Sequence, residues 1–431
     1  MAGKLKRCGA RTNGLQERNA LHYQDGPVRT VAIGLSQKDC LKRTFLTVKD
    51  MRNPFQYGAE LKPSQIVNRK QELRDVQRAI LEHGRLFLLG PRRFGKTAIL
   101  RAATAAAERD GAIVIRLDAE AYPGVDGLVR AIVTESAQKL KSDVAKTGEK
   151  ILRFFSRLRP SISYDPGDNS WNGSLDAVKS GEADHTPLLV EAIDGLARLA
   201  ADAKRPTALV IDEFQKVIQL GGQGTEAQMR AAVQRNTAIG FIFAGSKTTL
   251  LNDMTLNPAR PFYRMGIWHF LSPLPRDEFG QFISKGFEKA AYRVETGAVE
   301  AILDRSEDVP YNVQALSSVA WEMLGDDGGD VLTPKLVARA LKLRVERDGP
   351  FYLTVWNGLT TIQQRVLTAA VKENGTALAS QAVTERYGVS ASTMSKALRF
   401  LENREVLRRE ELQNSMRWRL EDPFFAAWLD R

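Results

Sequence analysis

Eight residues constrain this chain more than any others: Gly90, Pro91, Arg92, Arg93, Phe94, Gly95, Lys96 and Thr97. They satisfy the pattern G-x-x-x-x-G-K-[ST]. The apolar run Leu86, Phe87, Leu88 and Leu89 precedes them, and an alanine-rich helical segment over 96–108 follows. In that setting Gly90 and Gly95 let the loop curl until its backbone N–H groups point inward at a phosphate. The helix beginning near Lys96 adds its positive end. Lys96 supplies a mobile cation to β- and γ-phosphates, and the Thr97 hydroxyl can join a Mg²⁺ shell. Arg92 and Arg93 face the nucleotide or turn outward to a partner or a neighbouring carboxylate.

Further apolar runs have the length of buried strands: 112–115, 208–211 and 241–244. Amphipathic segments lie between them, at 69–83, 124–141 and from Leu188 to Leu199. Such alternation of near-continuous apolar strands with helices gives an α/β fold, a parallel sheet covered on both faces. Residues 158–178 are an exception. Ser161 to Tyr164 and Trp171 to Leu175 flank a polar stretch containing Pro166 and Gly167, which predicts an inserted β-hairpin.

The run at 208–211 ends in Asp212 and Glu213. Two carboxylates at the end of a buried strand suit metal-assisted phosphate chemistry. Asp212 is expected to hold Mg²⁺, and Glu213 to polarise the attacking water. A glutamate in that place points to hydrolysis rather than to transfer onto a small acceptor. No Asn-Lys-x-Asp base-reading motif is present, which disfavours GTP. Ser246, after the run at 241–244, is the candidate γ-phosphate sensor, with Lys247 second. Arg264 either acts on the phosphate of its own or a neighbouring subunit, or makes a helix cap or surface ion pair.

Composition narrows the remaining classes. The chain has 431 residues, room for about three domains, with hydrophobic residues at 43% and charged residues at 26%. No run reaches the roughly 18 apolar residues of a membrane span, and the charged N-terminus lacks a secretory signal, so a cytoplasmic protein is expected. The two cysteines, Cys8 and Cys40, and four scattered histidines offer no disulfide framework or zinc site. The net charge is +11, yet residues 1–50 alone hold ten Lys/Arg against four acids. That segment lacks sustained periodicity. It reads as a poorly ordered basic extension, or as sequence preceding a true start at Met51.

The core is expected to span 51–272. Phe279, Phe282, Ile283 and Phe287 open a helical unit, 273–350, with no strands, and Gly349 and Pro350 close it. Residues 358–431 form the last unit. A helix seeded by Ile362, Val366 and Ala370 leads to a second over 378–387, stopped by Gly388. Ser390 caps a third, which buries Met394, Ala397, Leu398 and Leu401. Strict alternation over Met416 to Leu420 then gives a hairpin strand, with Arg417 and Arg419 on its solvent face. Helix–helix–helix–hairpin is a winged helix. Its third helix exposes Ser392, Thr393, Ser395, Lys396 and Arg399, which with the two wing arginines suit double-stranded DNA. The competing expectation is a winged helix that docks a protein.

Several motifs together resemble one family. Asn53, Pro54, Phe55, Tyr57 and Gly58, then Asn68, Arg69, Glu72 and Leu73, precede the phosphate loop. Asp212 to Gln215, Ala244 to Ser246, Pro310, Tyr311 and Gln314 follow, and Asp422, Pro423, Phe424 and Trp428 close the chain. Residues 51–431 thereby resemble the archaeal-type ATPases of the STAND-like branch of AAA+ proteins, which have relatives among origin-recognition ATPases. The resemblance implies a P-loop core, a helical lid and a C-terminal winged helix. It puts Asn68 and Arg69 near the adenine, with Pro310 and Tyr311 closing over the base. The family usually carries glycine two residues before that proline, where this chain has Asp308. The expected function is an ATP-hydrolysing conformational switch, slow or partner-stimulated, for which oligomerisation is open. The alternative is a nucleotide-bound scaffold with negligible hydrolysis.

Overall fold

The computed structural model describes residues 52–58, 61, 65–140, 144–158, 160–168, 170–175, 186–222, 224–246, 248–327, 329–412 and 415–431. The basic segment 1–50, Met51, His185 and Lys247 lie outside them.

Residues 70–270 build the sheet and its cover. In chain order they are α1 (Lys70–Leu81), β1 (Arg85–Leu89), α2 (Lys96–Arg109), β2 (Ile113–Asp118), α3 (Val125–Leu140) and α4 (Val144–Phe154). The hairpin strands β3 (Pro160–Asp165) and β4 (Ser170–Leu175) follow, then α5 (Thr186–Ala203), β5 (Thr207–Asp212), α6 (Gln215–Gly221) and α7 (Thr225–Arg235). The run ends with β6 (Gly240–Gly245), α8 (Thr248–Leu256) and β7 (Ile267–Phe270). Five strands pair in parallel in the order β2-β5-β6-β1-β7.

Alternate residues of the strands feed two cores. Phe87, Leu89, Ile115, Leu209 and Phe243 pack with α3, α5 and α7. Leu86, Leu88, Val114, Val210 and Ile242 pack with α1 and α2. The strand β7 was absent from the sequence reading. Its residues are only partly covered, so Ile267 and Phe270 are exposed and the segment lacks a buried strand's continuous apolar signal. The hairpin lies where its turn signals put it, with Tyr164 opposite Trp171.

The order places β6 between β1 and β5 and aligns their carboxyl ends. Leu89 sits beside Gly245, and Ile211 beside Phe243. The Gly90 N–H donates to the Gly245 carbonyl at 3.4 Å, and the Phe214 N–H to the Ala244 carbonyl at 2.8 Å. The phosphate loop, the Asp212–Glu213 pair and Ser246 therefore converge on one edge of the sheet.

Next come α9 (Arg276–Glu288), β8 (Arg293–Val294), α10 (Ala298–Arg305), α11 (Pro310–Asp327), β9 (Val331–Leu332) and α12 (Pro334–Arg347). The lid is thus not purely helical: β8 and β9 form a short parallel pair, too brief to leave a pattern in sequence. The last elements are α13 (Gly349–Asn357), α14 (Thr361–Lys372), α15 (Gln381–Tyr387), α16 (Ala391–Asn403), β10 (Leu407–Leu412), β11 (Ser415–Leu420) and α17 (Pro423–Leu429). Gly349 and Pro350 open a helix rather than a loop. Pro350 occupies the first turn of α13, where a missing N–H costs nothing. The helix α17, capped by Asp422, was also missed. It returns to the lid, so lid and winged helix share one continuous apolar core running from Phe55 through Leu316 and Tyr352 to Phe425.

Candidate nucleotide site and its winged-helix contact

Lys96 is 5% exposed and lies under its own loop. Its Nζ donates to the Gly90 carbonyl at 2.8 Å and to the Pro91 carbonyl at 2.9 Å. Burial pulls its pKa below the usual lysine value, opposed by the nearby Glu213 and Asp212. Gly95 stands at φ 90°, a conformation that suits glycine and lets α2 start at Lys96. Thr97 Oγ1 donates to Asp212 Oδ2 at 2.8 Å. Asp212 is buried, and burial raises its pKa against the Thr97 hydrogen bond.

Glu213 adopts φ 51°, strained for a side-chain-bearing residue. Its Oε2 accepts from Ser246 Oγ at 2.8 Å, the Ser246 N–H at 3.2 Å and Gln215 Nε2 at 2.5 Å. The proposed sensor and the proposed base are thus bonded to each other. Gln215 is a further buried member of the group, which the sequence reading did not assign.

A cleft of about 450 Å³ opens beside the loop. Arg92 to Thr97 and Glu213 line one end; Ile66, Val67, Leu274, Phe279, Pro310 and Tyr311 line the other. Arg69 is among the lining residues. Its guanidinium is committed to Glu72 at 3.1 Å and the Ser272 carbonyl at 2.5 Å. Asn68, Gly90 and Pro91 are not on the cleft wall. Asn68 instead joins Arg69 in a left-handed turn, at φ 54° and 64°. Apolar residues 66 and 67 lie nearer the cleft than the polar Asn68 does, a distinction that composition could not make.

The lid closes on the loop despite the missing glycine. Asp308 adopts φ 56° and Glu307 φ 50°, so acidic residues hold the left-handed turn that glycine would favour. Arg276 bonds Asp308 at 2.9 Å and steadies it. The Tyr311 N–H then donates to the Arg93 carbonyl at 3.3 Å, and the Arg93 guanidinium lies 5.0 Å over the Tyr311 ring.

The loop arginines turn outward, to the winged helix. Arg93 pairs with Asp422 at 2.6 Å, and Arg92 with Glu405, while Glu120 of the core takes Arg92 at 3.1 Å. Burial opposes the Arg93 charge, but Asp422 outweighs it and raises its pKa. Glu421 lies close enough for its charge to act on Lys96, and burial raises its own pKa against Arg408. Three winged-helix carboxylates therefore surround the cations of the phosphate loop.

The wing arginines are partly buried and hydrogen-bonded rather than free. Arg419 pairs with Glu307 of the lid at 2.5 Å and with Glu410 at 2.9 Å, and Arg417 donates to the Asn374 carbonyl at 2.9 Å. Alternation correctly put both on one face of β11; that face lies against the lid and α14. On α16, Ser392, Ser395, Lys396 and Arg399 are exposed and Thr393 is half-covered. Arg264 is exposed at φ 51°, stacks 5.2 Å over the Tyr263 ring and does not line the cleft.

Comparison with known proteins agrees with this architecture. Residues 65–237 match the family described as AAA ATPase domain, and residues 350–431 the family described as probable winged helix domain. A segment similar to AAA ATPase domains, built on the five-stranded parallel sheet, is thus followed by a C-terminal winged helix. No curated sequence matches it. A Walker-type ATPase of Pyrococcus abyssi is similar in structure, with TM-score 0.56 and 18% identity over 88% of this chain and 100% of that one. The ORC2 protein of Aeropyrum pernix is similar at TM-score 0.50 and 14% identity, over 88% of this chain and 96% of that one. Among the described residues, no helix is long and apolar enough to cross a membrane.

Proposed function

We propose that this AAA+ protein binds ATP between its core and lid, hydrolyses it, and uses the phosphate charge to release the winged helix from the loop. One observation carries this reading: Arg92 and Arg93, inside the phosphate loop, are held by Glu405 and Asp422 of the winged helix. Phosphate anions entering the loop compete with those carboxylates for the same cations, and they repel Glu421. Nucleotide and docked winged helix therefore oppose each other through charge.

The site residues take the following roles. Lys96 leaves the Gly90 and Pro91 carbonyls for the β- and γ-phosphates. The hard oxygens of Thr97 and Asp212, already 2.8 Å apart, fit Mg²⁺. When bound, Mg²⁺ neutralises phosphate charge. Glu213 accepts the proton of the attacking water once Ser246 turns to the γ-phosphate. Arg264, outside its own cleft, is available to the phosphates of a second copy. The Aeropyrum pernix ORC2 structure comprises ADPNP–ADP complexes, the ligand class proposed here.

Lys396 and Arg399, exposed and without ion pairs among the described residues, favour duplex DNA as the partner of the released domain. Phe400 and Met416, also exposed, favour the second reading, a protein partner for a scaffold that hydrolyses little. ATP turnover with and without duplex DNA tests the proposal. DNA-stimulated turnover that Glu213→Gln abolishes while ATP still binds is the expected result. Absence of ATP binding by the intact chain would refute it.

A further inference from the structure

We propose that Gln314 reads the nucleotide base and selects adenine; this rests on the ATP reading above. Gln314 lies one helical turn beyond Pro310 on α11, so both project to the cleft face. It is 5% exposed, it lines the cleft, and its Oε1 is buried without a hydrogen-bond partner. A buried amide left unpaired is costly, and native structures rarely keep one without a reason. A bridging water would need two to four polar partners. The neighbouring walls, Val67, Leu274, Phe279 and Pro310, offer an apolar slot instead.

The chemistry of the slot is selective. A side-chain amide presents one donor and one acceptor side by side. Adenine offers the matching pair, the N6 amino donor and the N7 acceptor. Guanine presents two acceptors, N7 and O6, which suit a guanidinium fork. Among the arginines lining the cleft, Arg69 is held by Glu72 and Ser272, and Arg92 and Arg93 belong to the phosphate loop, where the triphosphate takes them. Gln314 is therefore the group that turns a purine slot into an adenine slot. Rotation of the amide about its last bond brings the acceptor to the N6 amino group and the donor to N7.

The test is calorimetric binding of ATP, GTP, 7-deaza-ATP and purine riboside triphosphate to the intact chain. Inorganic triphosphate serves as the phosphate-only probe. ATP is expected to bind about fivefold to tenfold tighter than either analogue missing one partner atom, as one lost hydrogen bond implies. Gln314→Leu should bind ATP and both analogues alike, with triphosphate affinity unchanged. Gln314→Glu, which keeps shape and acceptor, should retain the preference for the N6 amino group and lose the preference for N7. It also stands in if the leucine variant does not fold. Equal affinity of the parent chain for ATP and purine riboside triphosphate would overturn the proposal, as would full discrimination by a folded Gln314→Leu. If triphosphate and every nucleotide fail to bind the parent chain, the ATP reading falls, and this proposal with it.

Discussion

The winged helix has two joints of opposite chemistry. Toward the lid it is apolar: α17 packs against α12, and Phe424 and Phe425 join Ala340 and Val345 in a core that continues to Phe55. Toward the phosphate loop it is ionic, through Arg92 with Glu405 and Arg93 with Asp422. Apolar burial is insensitive to a passing charge, so the first joint keeps lid and winged helix together. An ion pair exchanges its partner for a stronger anion, so the second joint answers to phosphate. A body that must move as a unit is thus tied internally by packing and externally by charge.

Breaking the apolar joint should have the largest effect. Phe425→Ala removes a buried ring and should destabilise the chain by about 3–5 kcal/mol, read as a lower midpoint of chemical unfolding. A variant that lost stability only in the presence of ATP would reverse the assignment of the two joints.

The ionic joint should give the opposite profile. Asp422→Asn keeps the cap on the Phe424 N–H but removes the charge facing Arg93. Combined with Glu405→Gln it should cost only about 1–3 kcal/mol of stability. ATP affinity should rise about tenfold, equivalent to about 1.4 kcal/mol. Weaker ATP binding in a folded double variant would mean that these carboxylates help the nucleotide rather than compete with it.

A subtler contrast lies in Asp212. Burial raises its pKa above the ordinary value of 3.8, so its contribution to stability is fully present below that value and is lost as pH rises through the folded pKa. As the pH rises from 3 toward 7, this buried carboxyl therefore withdraws that contribution. Asp212→Asn should raise the melting temperature of the nucleotide-free protein at pH 7 and leave it nearly unchanged at pH 3, while weakening Mg²⁺-dependent ATP binding. Equal shifts at both pH values would exclude ionisation as the cause.

The smallest effect concerns DNA. Lys396→Ala and Arg399→Ala should each lower the log–log salt slope of duplex binding by about 0.9. Arg419→Ala should leave the slope unchanged, because that side chain is paired to Glu307. The segment 1–50 must be present in all variants, so that its charge cancels from the comparison.

How much of this was legible depended on whether a feature leaves a local pattern. The phosphate loop, the strand ending in Asp212, the hairpin and the Met394 to Leu401 stripe are short-range and stood out in the sequence. The edge strand β7 and the pair β8–β9 are too short or too exposed to do so. The winged-helix partners of Arg92 and Arg93 lie more than 300 residues away along the chain, and nothing near Glu405 or Asp422 marks them as such. The wing arginines show the limit of alternation: it groups residues on a face but does not say what covers it.

The central claim is that phosphate in the loop undocks the winged helix, and a distance measurement tests it most directly. Cysteines placed at the exposed positions Arg109 and Ser392, in a chain with Cys8 and Cys40 replaced by serine and Glu213→Gln to retain ATP, would carry a fluorescent donor and acceptor. Transfer efficiency should change on adding Mg²⁺ and ATP and should return on their removal. The same labels in a Lys96→Ala chain should show no change. Unaltered transfer in a chain shown to hold bound ATP would contradict the account.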